Sequence, residues 1–122
     1  MQVSKKKINP KIKKQLADFL HQVIVDIKNT TEAKSFLESF LGENEQEIMA
    51  RRLGIAYFLE KGKTYTWIKE NLAVSSTTVA SIAREAKKKE GFKIALQKIY
   101  ADEWAEKWAE KIKQIFAKKD KK

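Results

Sequence analysis

Residues 65–84 read YTWIKENLAVSSTTVASIAR. Trp67, Ile68 and Leu72 mark a short first helix, and a tight turn is expected at Ala73-Val74. Ser75 follows where its hydroxyl can accept from an amide one turn into a second helix. In that second helix Val79 and Ile82 point inward. Ile68, Leu72, Val74, Val79 and Ile82 thus form one apolar set able to clamp two short helices at a steep angle. Ser76, Thr77, Ala80, Ser81 and Arg84 share the opposite side, which is small, polar and ends in a cation. A solvated helical hairpin can look like this. Such a surface can also enter the major groove of DNA and meet base edges and phosphates, and the spacing is that of a helix-turn-helix. Ser75, Ser76, Thr77, Ala80, Ser81 and Arg84 are the expected base-facing residues, and Lys69, Lys87, Lys88 and Lys89 the expected phosphate contacts. Two positions depart from the usual pattern. Ala73 stands where the turn ordinarily has Gly, and Lys69 stands where the residue after Ile68 is ordinarily small, so its stem must bend away from the second helix.

The rest of the chain agrees with a polyanionic partner. It has 122 residues, a size suited to one domain, with a formal charge of +10 and a pI of about 9.7. Cys is absent, which excludes a disulfide framework and thiolate chemistry and fits a reducing compartment. The start, MQVSKKKINPK, has charge but no apolar run after it, unlike a signal peptide. No stretch approaches the roughly 18 apolar residues that cross a bilayer. A soluble, cytoplasmic protein without a membrane partner is the expectation.

Four Gly and one Pro punctuate the chain, and no strand period or internal repeat is visible. A first helix is expected from about Lys11 to Lys28, burying a stripe of Leu16, Phe19, Leu20, Val23, Ile24 and Ile27. The lysines before and along its start read as solvated rather than as a phosphate-binding arm. A second helix should run from Thr30 or Thr31 to Gly42, with Phe36, Leu37, Phe40 and Leu41 on its apolar side. A third should open near Glu43, where Glu43, Glu45 and Glu47 suit the positive end of the helix dipole, and stop at Gly62. It is apolar on more than one side, so it should be the central, most buried helix.

From about Gly91 the chain reads FKIALQKIYADEWAEKWAEKIKQIFAKK. Leu96, Tyr100, Trp104, Trp108, Ile112 and Phe116 recur every fourth residue. Each step of four drifts about 40° around a straight helix, so the row winds by roughly 200°. One flat surface cannot bury all of it. The helix must kink, meet a partner, or stay partly exposed. Glu103, Glu106 and Glu110 argue against a membrane surface.

No catalytic constellation emerges. His21 is the single His and reads as structural. There is no Gly-rich phosphate loop and no clustered metal ligands, so neither an enzyme, a cofactor nor a metal is expected.

The segment from Leu41 to Arg84, LGENEQEIMARRLGIAYFLEKGKTYTWIKENLAVSSTTVASIAR, resembles the tryptophan repressor superfamily, especially its Trp-repressor-like branch. The acidic start after a Leu, Arg51-Arg52-Leu53, Leu59-Glu60-Lys61-Gly62 and the helix-turn-helix carry the resemblance. Gly91-Phe92-Lys93 is similar to that branch's Gly-Tyr-Lys ending. The resemblance covers about half the chain. It implies an all-α six-helix fold and an intertwined homodimer with recognition helices one DNA turn apart. In the family's corepressor pocket, Arg52 matches the arginine packed against the indole. The second pocket arginine aligns with Ser81, and the pocket threonine with Gly42. Tryptophan is therefore not expected as a corepressor. Trp104 or Trp108 could swing back to fill the vacant pocket.

The domain plan is a basic arm at 1–10, a Trp-repressor-like helix-turn-helix domain at 11–93, and a C-terminal amphipathic helix with a basic tail at 94–122. The function expected is a sequence-specific DNA-binding transcriptional repressor binding double-stranded DNA as a homodimer. The competing class is a helical protein–protein interaction module that uses the aromatic C-terminal helix.

Overall fold

A computed structural model of the chain describes residues 1–3 and 5–118, and the helical backbone of 119 and 120. Ser4 of the expected basic arm, and Lys121 and Lys122 of the expected tail, lie outside the described residues. The described residues form six helices and no strand, the all-α class read from the sequence. In chain order they are α1 (Pro10–Asp26), α2 (Thr30–Phe40), α3 (Glu43–Glu60), α4 (Tyr65–Leu72), α5 (Ser76–Lys88) and α6 (Glu90–Asp120).

Each start has a local cause. Asn9 caps α1 by accepting from Lys11 N at 2.9 Å, and Pro10 takes the first helical position, where a missing amide hydrogen costs nothing. Asn29 caps α2 through Glu32 N at 2.9 Å, while Glu32 Oε1 accepts in return from Lys28 N at 3.3 Å. Helix α3 ends where Gly62 turns left-handed, at φ 84°. Gly62 N–H donates to Leu59 O and Lys63 N–H to Phe58 O, both at 3.0 Å, which satisfies the last carbonyls.

The chain divides into two compact units, residues 1–46 and 47–122. In the first, α1 and α2 flank an open groove of about 470 Å³, lined in part by Val23, Ile27, Phe36 and Phe40. The stripe of α1 has the expected period but is not buried. Leu16, Phe19, Leu20, Val23 and Ile24 are each 45–56% exposed, and neither α1 nor α2 holds a buried residue. Periodicity marked the face correctly, but the described residues of this unit leave it half-exposed.

The second unit contains the core. Ile55 and Ala56 from α3, Ile68 from α4, Val79 and Ile82 from α5 and Leu96 from α6 are buried together. Helix α3 is thus central only in its C-terminal half. Ile48 and Met49, expected inside, are 47% and 55% exposed. Gly54 gives α3 its closest approach to α4: a Cβ there would stand 3.1 Å from Leu72 Cδ2.

The start of α6 is clasped to α3 by polar groups. The Tyr57 hydroxyl donates to Glu103 Oε1, and Lys61 Nζ lies 3.3 Å from Glu103 Oε2. Lys61 also sits over the Tyr100 ring, 4.9 Å from its centroid. The Tyr57 hydrogen bond, helped by Lys61, holds the Glu103 carboxyl below its ordinary range, and the same bond raises Tyr57. Burial, with the Glu60 carboxylate beside it, pushes Tyr100 up to about 12. Glu103 is lowered in the fold, so its contribution is present above its unfolded value and lost as pH falls through the folded one. Both tyrosines are raised, so their contribution is present below pH 10.0 and lost above it, for Tyr100 as pH climbs toward about 12. Melting temperature followed by circular dichroism should therefore decline on both sides of a neutral plateau. Tyr57→Phe should flatten both limbs, and identical pH profiles for the two proteins would contradict the clasp.

Candidate nucleic-acid interface

Helix α4, the turn and α5 form the helix-turn-helix, and each junction is built from residues the sequence singled out. Thr64 caps α4 by accepting from Trp67 N at 3.0 Å. Ala73 ends α4 in the left-handed region at φ 53°, and the amides of Ala73 and Val74 both donate to Lys69 O. Ser75 Oγ accepts from Thr78 N at 3.0 Å and lies 2.8 Å from Thr78 Oγ1. The Ser75 hydroxyl is thereby committed to the cap, which fixes where α5 begins. Ile68 and Val79 are fully buried and Ile82 is 5% exposed, while Leu72 and Val74 pack on them half-buried. The five expected apolar positions therefore form one contact, and it sets the direction of α5.

With Val79 and Ile82 turned inward, the helical period puts Thr77, Ser81, Arg84 and Lys88 within about 60° of one another on the outer side of α5. Ser76, Thr77 and Arg84 are exposed, whereas Ala80 and Ser81 are half-buried flanks of that line. Lys87 and Lys88 are exposed in the last turn, and Lys69 is exposed on α4. Among the described residues no carboxylate stands within ion-pair distance of Lys69, Arg84, Lys87 or Lys88. Lys89 differs. It lies 3.6 Å from Glu85 Oε1.

Glu85 is the residue the sequence reading missed. Its other oxygen accepts from Arg52 Nη2 at 2.9 Å, joining α3 to α5 across 33 positions of sequence. Its spacing of four to Lys89 was visible in the sequence, but the tie to Arg52 was not. Arg52, expected at an effector pocket, is thus engaged by a side chain of the protein. Trp104 and Trp108 do not swing back toward it. No breaker interrupts α6 between Lys93 and Trp104, so the helix runs on. The two indoles meet each other in a tilted contact, centroids 5.5 Å apart and planes at 58°, and remain 63% and 47% exposed.

The family model described as Trp repressor protein matches residues 14–100. The chain belongs to the Trp repressor family. Its fold is similar to the crystal structure of a TrpR-like protein from Eubacterium eligens, with a TM-score of 0.65 and 27% identity, covering 75% of this chain and 95% of that one. No curated protein matches it. The family is one of helix-turn-helix DNA-binding regulators. Among the described residues no helix is long and apolar enough to cross a membrane.

The turn carries a measurable strain. A left-handed conformation costs a residue with a Cβ about 1–2 kcal/mol, and Gly gives back about 0.5–1 kcal/mol of that through its freer unfolded chain. Ala73→Gly should then stabilise the protein by about 0.5–1 kcal/mol, a rise of about 2–4 °C in Tm. A lower Tm in calorimetry would show that Ala73 is not strained.

Proposed function

We propose that the chain is a sequence-specific transcriptional repressor that reads double-stranded DNA with α5, acts as a homodimer in the cytoplasm, and does not use tryptophan as corepressor. The observation that carries this reading is the outward side of α5, on which Arg84 and Lys88 are exposed and, among the described residues, have no ion-pair partner, held at a fixed angle by the Ile68–Val79–Ile82 contact. Thr77, Ser81 and Arg84 meet base edges, with Ser76 and Ala80 beside them. Lys69, Lys87 and Lys88 meet phosphates. Lys89 joins them to the extent that it lets go of Glu85. The DNA-binding domain spans residues 11–93, with the arm before it and the long helix after it.

The half-exposed stripe of α1 supports a dimer. A second copy would cover Leu16, Phe19 and Ile24 and set two recognition helices one DNA turn, about 34 Å, apart. Selection on random duplexes should return a two-fold symmetric site. Arg84→Ala should weaken binding to that site by about 1–3 kcal/mol, as expected for loss of a base-edge contact. Lys88→Ala should weaken all sequences alike and lower the salt slope by about 0.9. Loss of affinity in Arg84→Ala that was equal for selected and random DNA would make α5 a phosphate binder only.

Independence from tryptophan is supported by three residues. Ser81 offers no guanidinium to a ligand carboxylate, Gly42 offers no hydroxyl, and the Arg52 guanidinium is held by Glu85. A charge-assisted bond is worth roughly 1.5–3 kcal/mol, so losing one costs at least about tenfold in affinity. Calorimetry with millimolar tryptophan should show no saturable heat, and the same tryptophan should leave a gel shift unchanged. Saturable binding that tightened the DNA complex would overturn this part of the reading.

A further inference from the structure

From Arg84 to Lys89 four cations surround one acid, Glu85. It lies one turn after Ser81, and side chains four apart on a helix are neighbours, so its carboxylate borders the side of α5 that offers Thr77, Ser81 and Arg84. Left free, it would repel phosphate there or capture a nearby lysine. Both of its oxygens are engaged instead. Oε2 accepts from Arg52 Nη2 at 2.9 Å, and Oε1 lies 3.6 Å from Lys89 Nζ. The two partners are placed differently. Lys89 caps the C-terminus of α5 and its side chain is 59% exposed. Arg52 stands on α3, and only the fold brings it to Glu85. As a brace the Arg52–Glu85 pair is weak. Its side chains are 45% and 31% exposed, so solvent screens it, and the Ile68–Val79–Ile82 contact fixes α5 without it. Its consequence is for charge.

We propose that Arg52 is a positioning residue for DNA binding: it holds the Glu85 carboxylate and so releases Lys89 to a phosphate of the duplex. This role rests on the reading of α5 as the DNA-binding helix. Arg52 acts through Glu85 and needs no contact with DNA of its own. When Lys89 turns to a phosphate, Glu85 keeps a full counter-charge on the shorter of its two contacts. Without Arg52 the same move leaves a bare carboxylate beside phosphates, so Lys89 stays with Glu85. A unit negative charge about 8 Å from a phosphate, in partly screened surroundings, changes affinity by about three- to tenfold.

The test is the affinity of the full chain for a random-sequence duplex, measured across a range of salt concentration. Arg52→Gln should weaken binding about three- to tenfold and lower the salt slope by about 0.9, the share of one phosphate contact. Arg52→Lys, which keeps the charge, should retain most of the affinity. Adding Glu85→Gln to Arg52→Gln should restore both affinity and slope. Lys89→Ala should lower the slope in the wild type but not beside Arg52→Gln, where Glu85 already holds the lysine. Circular dichroism should be the same throughout, because every substituted side chain is at least 31% exposed. A bracing role for Arg52 would leave the double variant as weak as Arg52→Gln, and that result overturns the inference. So does Arg52→Gln binding as the wild type does, an outcome in which α5 remains a DNA-binding helix. A wild-type chain that binds no duplex would sink the DNA-binding reading itself, and this role with it. Glu85→Gln alone should bind at least as tightly as the wild type. Weaker binding would make Glu85 a base contact and overturn its part as a charge to be held.

Discussion

Ile55, Ile68 and Val79 meet with no exposed surface left on any of them, one from each of α3, α4 and α5. Burying each such side chain stabilises by about 1.5–3 kcal/mol. What matters more is that three branched side chains with few rotamers admit few ways of fitting together. Gly54 extends the constraint, since a Cβ there would stand 3.1 Å from Leu72 Cδ2 and that side chain would have to give by a few tenths of an ångström. The direction of α5, and therefore the surface it offers outward, follows from this junction. Thr77 and Arg84 face solvent because Val79 and Ile82 cannot.

The same economy leaves the N-terminal unit short of cover. The first unit carries six large apolar side chains on one face of α1 (Ile12, Leu16, Phe19, Leu20, Val23 and Ile24), and none of its described residues is buried. Ordering a residue costs about 1–2 kcal/mol of backbone entropy. A pair of helices that leaves its apolar stripe half in water cannot offset that from within. The caps at Asn9 and Asn29 start the helices but contribute only about 1 kcal/mol each. The stripe therefore stays half in water within this unit, its face set by period and its helix started by a cap but not held by burial.

Legibility in the sequence tracked the range of the interactions. The helix-turn-helix was readable because its determinants are neighbours: Thr64 and Ser75 cap within three residues, Ala73 turns within one, and Ile68 to Val79 spans eleven. The stripe of α1 was readable as a face but not as a buried one, because periodicity states which side is apolar and not what lies against it. The first half of α3 failed for the same reason at Ile48 and Met49. The row from Leu96 to Phe116 was read as winding, and its drift of about 40° per step explains why Leu96 and Tyr100 reach the core and Trp104 onward do not. Of the interface, the outward line on α5 came from the period alone. Glu85 did not, since Arg52 stands 33 positions away and only the fold brings them together.

That long-range pair does more for charge than for stability. Its side chains are 45% and 31% exposed, and ion pairs in such settings contribute about 0–1 kcal/mol. Glu85, however, is the single acid within the basic last turns of α5, between Arg84 and Lys87. Left alone it would lower the potential where phosphates are to be met, and it would compete for Lys87 or Lys88. Arg52 from one side and Lys89 from the other absorb its charge at 2.9 and 3.6 Å. The field around Arg84, Lys87 and Lys88 is then more positive than Glu85 alone would leave it. An arginine on α3 thus shapes the field along α5 without itself standing on that helix.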